Sequence, residues 1–262
     1  MRREAFIDGR FVAAADGQTF TDISPRDGRP IAEVARGSAE DIDLAVRAGR
    51  RAFDDGSWAL ADPRERKRVL LRWATLIDEH LEELAQLESA DVGHPITDAR
   101  NVDVPNARNC IAWYAEAIDK VYGEIAPTGA DALALVGREP LGVIGAVIPW
   151  NYLLIITAWK LAPALATGNS VVLKPAEQSP LTALALANGT GYGLAAAVWS
   201  SNITTAHRVA RRLRAGTVWI NTFDASSLTT PFGGVKDSGH GRDRSLHALD
   251  AYTHLKTTWV AL

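Results

Sequence analysis

Two short runs in this sequence place polar side chains where an α/β sheet presents them to a ligand. Pro149-Trp150-Asn151 closes the apolar run LGVIGAVIPW, and Lys174-Pro175-Ala176-Glu177 closes Ser170-Val-Val-Leu. Open parallel sheets bind ligands outside the carboxyl ends of their strands. An amide at Asn151 has donors that can hold a developing oxyanion. Lys174 and Glu177 stand where basic and acidic groups meet ribose hydroxyls in dinucleotide folds. Ordinary polar loop residues fit the same spacing, and spacing alone does not separate the two readings.

Other residues with chemical potential read as structural. The single cysteine, Cys110, lies three residues after Ala107 and four before Tyr114. It therefore falls on the inward stripe of a helix, where a thiol behaves as a small hydrophobe rather than a nucleophile. Histidines occupy positions 80, 94, 207, 240, 247 and 254. The last three recur every seven residues, but no carboxylate or thiol accompanies them at ligand spacing, so no metal site is expected. Asp237-Ser238-Gly239 has neither a strand-elbow-helix nor a pair of β-barrels around it, which excludes a serine-protease reading. The glycines of Gly189-Thr-Gly191-Tyr-Gly193 and Gly239-His-Gly241 lack phosphate-cradle spacing and read as helix ends and turns.

The elements that position these residues follow from periodicity. Asp8-Gly9 within AFIDGRFV predicts a hairpin, and Ser24-Pro25 and Asp27-Gly28 predict further turns. From a cap at Ser38, a helix is expected with Ile42, Ala45, Val46, Gly49, Ala52 and Phe53 inward. A second helix starts at Asp62-Pro63, puts Val69, Leu70, Trp73, Ile77, Leu81, Leu84 and Leu87 on one face, and ends at Gly93. A third spans Pro105 to Val121. Gly123 to Pro140 reads as a hairpin about Thr128-Gly129. Strand, helix and strand from Leu141 to Lys174 make a βαβ unit, which implies a parallel sheet. A helix follows Ser179-Pro180, another runs from Thr204 to Leu213, Gly216 to Asn221 supplies a further strand, Ser245 to Ala251 is helical, and Thr253 to Val260 closes the chain as a strand.

Composition bounds the rest. The 262 residues are 47% hydrophobic and 23% charged, with 28 basic and 31 acidic residues and a formal net charge of −3. Such a chain folds around a core, and with charges interspersed it offers no broad basic face for nucleic acid. A lone cysteine excludes an internal disulfide framework and makes a cytoplasmic setting the expectation. No apolar run is long and unbroken enough to span a membrane, and the amino terminus does not read as a signal peptide.

The runs AVIPWNYLLIITAWKLAPALATGNSVVLKPAEQSPLTAL, YGLAAAVWSSN, RRLRAGTVWIN and PFGGVKDSGHGRD together resemble the NAD(P)-dependent aldehyde dehydrogenase superfamily. The ending GRDRSLHALDAYTHLKTTWVAL is most similar to the subgroup acting on amino- or guanidino-substituted aldehydes such as γ-glutamyl-γ-aminobutyraldehyde. The resemblance implies NAD or NADP as cofactor and covalent catalysis by a cysteine thiolate. Asn151 would then be the oxyanion donor, Pro149 and Trp150 would line the nicotinamide side, and Lys174 and Glu177 would contact the adenosine ribose.

The same resemblance exposes a large internal gap, with its junction near Ala183 to Ala187. Missing with that stretch are the nucleophilic cysteine, the water-activating glutamate and the glycine-rich turn that receives pyrophosphate; Cys110 does not match the nucleophile's motif. The expected architecture is α/β. Residues 1–122 and 141–188 form a truncated Rossmann-like NAD-binding domain, 123–140 and 229–262 are oligomerisation elements, and 189–228 are a remnant of the catalytic domain. The expected protein is a homo-oligomer without aldehyde oxidation and with weakened or lost cofactor binding. A non-catalytic oligomeric scaffold, or an engineered or deleted form of a longer parent, is the alternative.

Overall fold

The computed structural model describes residues 4–175, 194–199, 201–213, 215–235 and 238–261. They fall into two compact units, Met1–Ser179 with Tyr252–Leu262, and Pro180–Ala251. The helix expected after Ser179-Pro180 lies outside the described residues, as do Glu177 and the junction at 183–187.

The first unit opens with two hairpins. β1 (Ala5–Ile7) and β2 (Arg10–Val12) turn at Asp8 and Gly9, both at positive φ (55° and 75°), as a two-residue hairpin loop requires. β3 (Thr19–Ile23) and β4 (Pro30–Ala35) pair antiparallel across the Ser24-to-Arg29 turn. α1 (Ala39–Asp54) starts where expected: the Ser38 N–H and hydroxyl both donate to the Asp41 carboxylate at 2.8 Å, and the Ala15 N–H donates to its other oxygen at 2.9 Å. These donors, the Ser38 N–H first, hold the Asp41 carboxyl below its usual range.

Two helix expectations need correction. The buried face of α1 carries Asp41 and Ala48, while Ile42, Val46 and Ala52 point to solvent. The cause is steric. A Cβ on Gly49 would lie 3.2 Å from Val143 Cγ1 and 3.7 Å from Ser170 Cβ, so the helix meets the sheet through its smallest residues rather than its largest. The second expected helix is two, α2 (Pro63–Glu79) and α3 (Leu81–Asp91), broken at His80, whose φ of −109° and ψ of 20° leave the helical region. No glycine or proline marks that break, and the leucine spacing runs straight through it. Beyond it come one turn of α4 (Ile96–Asp98), a π-helical turn at Ala99–Asp103, and α5 (Val104–Ala117). Ala107, Cys110, Ile111, Tyr114 and Ala115 are inward on α5, as the periodicity predicts.

β5 (Glu124–Ala126) and β6 (Ala132–Pro140) form the expected hairpin, and β11 (Thr253–Ala261) pairs antiparallel along the whole of β6. β7 (Val143–Val147), α6 (Leu153–Ala166) and β8 (Ser170–Lys174) make the βαβ unit, with parallel register from Val143↔Ser170 to Val147↔Lys174. The apolar composition suggests strands covered on both faces, yet Val147 is 75% exposed. Among the described residues this sheet has two strands, so its outer positions lack neighbours there.

In the second unit, β9 (Ala195–Val198), α7 (Ile203–Arg212) and β10 (Thr217–Ile220) repeat the strand-helix-strand arrangement, and β9 and β10 pair in parallel. The Gly216-to-Asn221 strand therefore joins β9 and does not extend the β7–β8 sheet. The glycine-rich tail serves close packing: a Cβ on Gly233 would lie 2.1 Å from the Gly241 carbonyl oxygen. Arg244 lies over the Phe232 ring at 4.7 Å. Leu246–Tyr252, expected to be helical, is a 3₁₀ helix.

One buried side chain joins several elements of the first unit. Asn169 is fully buried; its Oδ1 accepts from the Gly142 N–H at 2.8 Å, and its Nδ2 donates to the Tyr252 carbonyl at 2.9 Å, Thr167 Oγ1 at 2.9 Å and the Ala164 carbonyl at 3.2 Å. Asn169→Ala leaves the buried Gly142 N–H without its acceptor, at about 1–3 kcal/mol, and takes one donor from the Tyr252 and Ala164 carbonyls, which keep the Leu141 and Asn169 N–H groups. We expect urea unfolding to show a loss of about 2–4 kcal/mol with unchanged m. Asn169→Asp, which turns a carboxylate towards three acceptors, should lose as much. A loss below about 1 kcal/mol in both variants would show the network to be dispensable.

Candidate functional site

The βαβ unit brings Asn151 and Lys174 to the same end of one sheet. Lys174 is the last residue of β8 and pairs with Val147, and the Ile148 N–H donates to the Lys174 carbonyl at 3.1 Å, carrying the ladder one step past β7. Pro149, Trp150 and Asn151 follow at once, all exposed, and Lys174 is half-buried. The loop ends at Tyr152, a non-glycine residue in the left-handed region (φ 54°, ψ 45°), whose carbonyl accepts the first hydrogen bond of α6 from the Ile156 N–H at 2.9 Å. Such a conformation costs about 1–3 kcal/mol and persists only where its surroundings impose it. It turns the chain from strand to helix within a few residues and leaves the Asn151 amide in solvent, with its donors available to a ligand.

Beneath this loop lies a cluster that the sequence spacing does not reveal. Glu88 of α3, buried at 5% exposure, accepts the Leu154 N–H at 3.2 Å and so supplies a carboxylate to the amino terminus of α6, where the helix dipole favours negative charge. Burial pushes the Glu88 carboxyl up, the Leu154 N–H draws it down, and the nearby Asp103 carboxylate raises it again. His94 Nδ1 lies 2.7 Å from Asp103 Oδ2, and the His94 ring meets the Tyr152 ring edge-on with centroids 4.8 Å apart. Glu88, His94 and Asp103 come from a helix, a loop and a π-helical turn. Their separations of six and nine residues match no ligand motif, so only the fold assembles them.

The remaining candidates do not converge on the loop. Cys110 is 0% exposed on α5, as its periodicity predicts. A thiol with no exposed surface is out of reach of a substrate carbonyl. His254 faces Glu139 across the β6–β11 pair at 3.6 Å. His240 and His247 line an open cleft of about 470 Å³ in the second unit, with Pro231, Arg242 and Asp250. Glu177 and Asp237 lie outside the described residues.

The parallel βαβ unit, with an exposed amide and a lysine at the carboxyl end of its strands, marks an α/β protein. Its particular family is given by comparison. The aldehyde dehydrogenase family model matches residues 11–188 and 182–258, and this chain belongs to that family. It is 51% identical over 185 residues to aminoacetaldehyde dehydrogenase of Pseudomonas aeruginosa, covering 71% of this chain but 37% of that protein. With the NADP/NAD-dependent aldehyde dehydrogenase PuuC of Escherichia coli (strain K12) it is 29% identical over an alignment of 471 residues, covering 98% of this chain and 95% of that protein. The solved gamma-glutamyl-gamma-aminobutyraldehyde dehydrogenase from Burkholderia cenocepacia J2315 superimposes with a TM-score of 0.90 at 31% identity, covering 100% of this chain and 97% of that one. A chain of 262 residues cannot fill 471 aligned positions, so a long internal gap is required. The two matched segments overlap at 182–188, a stretch that contains the junction expected near 183–187.

The acidic cluster has a consequence for pH. Partial burial, and then the neighbouring Asp22 carboxylate, push Asp91 at the end of α3 from 3.8 up to about 6. Between these values the folded chain holds a proton that the unfolded chain releases, so folding stability falls as pH rises through this window. The slope is shallow because Asp91 keeps contact with solvent. Asp91→Asn should flatten the melting temperature across the window and raise it at neutral pH. An unchanged pH profile in that variant would contradict this origin.

Proposed function

We propose that this chain is an aldehyde dehydrogenase family protein that keeps the strand ends facing the dinucleotide but does not oxidise aldehydes. The observation that carries this reading is the state of its one thiol: Cys110 is fully buried on α5. Covalent aldehyde oxidation begins with thiolate attack on the carbonyl, and no other side chain in this sequence is a cysteine. Asn151 retains an amide able to hold an oxyanion, but an oxyanion donor without a nucleophile has no tetrahedral intermediate to stabilise. In a serine protease, loss of the nucleophile costs roughly a million-fold in rate.

For the cofactor, NAD or NADP, we assign Pro149 and Trp150 to the nicotinamide side and Lys174 and Glu177 to the adenosine ribose; when bound, the nicotinamide supplies a hydride acceptor. PuuC, described as NADP/NAD-dependent, supports the cofactor class. The phosphates fit poorly. The amino terminus of α6, the first helix end next to the loop, already holds the Glu88 carboxylate, which repels an anion there. Cofactor affinity is accordingly weak. The ancestral substrate is an amino-substituted aldehyde, which the names of the Pseudomonas and Burkholderia relatives support.

A second reading, a self-associating scaffold in the cytoplasm, rests on a separate observation. The β5–β6–β11 sheet leaves Ile125, Leu255 and Trp259 exposed, Trp259 at 65%, and among the described residues β11 is an edge strand. An exposed apolar edge of this kind favours pairing with another chain.

Purified protein incubated with aminoacetaldehyde and NAD⁺ should form no reduced nicotinamide above the blank; turnover abolished by Asn151→Ala would overturn the inactive reading. Sedimentation at micromolar concentration should show an oligomer that Trp259→Ser with Leu255→Ser converts to monomer. A wild-type monomer would remove the scaffold reading.

A further inference from the structure

The Glu88, His94 and Asp103 cluster is the buried polar group that the enzyme ancestry leaves unexplained. Its carboxylate and imidazole ligand atoms all lie within 4.8 Å of one another. Asp103 is 1% exposed; its Oδ2 meets His94, while its Oδ1 is buried without a hydrogen-bond partner. The Leu154 N–H donates to one oxygen of Glu88 at 3.2 Å. Two carboxylates and a protonated imidazole sum to one uncompensated negative charge in a buried site, which is costly. A divalent cation with a neutral imidazole brings the sum to zero and uses the unpaired oxygen.

The backbone supports the same conclusion. Asp103 closes the π-helical turn at Ala99–Asp103, and such turns recur at functional sites because they aim one side chain away from the regular helix. We propose that Glu88, His94 and Asp103 bind a divalent first-row metal ion of the Zn²⁺ or Mn²⁺ class. One imidazole nitrogen and two carboxylate oxygens, with water completing the shell, suit these ions better than the all-oxygen shells of Ca²⁺ or Mg²⁺. Metal–ligand lengths of about 2.0–2.2 Å require ligand atoms no more than about 4.4 Å apart, so the site closes by a few tenths of an ångström on binding. His94 touches the Tyr152 ring and Glu88 holds the start of α6, so the ion would brace both ends of the left-handed turn behind Asn151.

The test uses the full chain after dialysis against a chelator. Titration with Zn²⁺ or Mn²⁺ followed by calorimetry should show one equivalent bound, and the melting temperature should rise; K⁺ at matched ionic strength should have no effect. His94→Lys puts a positive charge in place of a neutral ligating nitrogen, and Glu88→Gln keeps an acceptor for the Leu154 N–H. Both should remain folded by circular dichroism and lose affinity at least about a hundred-fold, the upper end of what removing a mere outer-shell partner costs. Three results would overturn the proposal: no binding of either ion to folded wild type, undiminished binding in both folded variants, or an equal thermal shift with K⁺. Undiminished binding would place the ion on exposed histidines such as His240 and His247.

Discussion

A single buried amide holds together the parts of the first unit that the chain order leaves far apart. Asn169 follows α6 directly, and its side chain spans from the Gly142 N–H at the start of β7 to the Tyr252 carbonyl at the start of β11. Gly142 sits at φ 122°, where a side chain would be strained and a Cβ would press on the Arg50 guanidinium at 3.1 Å. The parallel pairing of β7 with β8 then follows, because the Ser170 N–H donates to the Gly142 carbonyl at 2.9 Å and sets the register that continues to Val147↔Lys174. The loop carrying Asn151 and the end of β8 at Lys174 leave the sheet at the same end because Gly142 and Asn169 fix the register at the other. The placement of the candidate site is thus a consequence of one hydrogen-bonded joint at the opposite end of the same two strands.

Local signals in the sequence were strong wherever one short stretch decides the structure. Asp8-Gly9, Ser38 with Asp41, the inward stripe of α5 and the apolar strands flanking α6 all carry their own turn, cap or period. Tertiary contact decides the remainder. Ile42 and Val46 have the period of a core face, but α1 comes closest to the sheet at Gly49, and packing selects the small residues. The break at His80 carries no proline or glycine, and β10 finds β9 rather than β7 although both strands are apolar. The same limit applies to the candidate site: Lys174 ends β8 and Asn151 lies in the short loop after β7, both marked by apolar runs in the sequence, whereas Glu88, His94 and Asp103 meet only after three elements have docked.

Under the proposed reading, family membership and activity separate for a chemical reason. Binding surfaces degrade in parts, since each contact contributes its own increment, whereas a covalent mechanism fails as a unit when its nucleophile is gone. The two segments matched by the family model contain the strands, caps and loop of Asn151 that shape the first unit. Asn151 is the least constrained of these, being exposed and attached to a strained Tyr152.

That strain is the most informative feature of the loop. A left-handed tyrosine is held against a penalty of about 1–3 kcal/mol, so something in the surroundings must stabilise it. The edge contact with His94 and the Glu88 carboxylate on the Leu154 N–H act on either side of Tyr152. Both of those groups belong to one buried cluster whose charge does not balance by itself. The conformation of the loop and the charge state of the cluster are therefore coupled. A cation held by Glu88, His94 and Asp103, as proposed, would therefore also bear on how firmly the loop carrying Asn151 is held, and that effect would not depend on aldehyde chemistry.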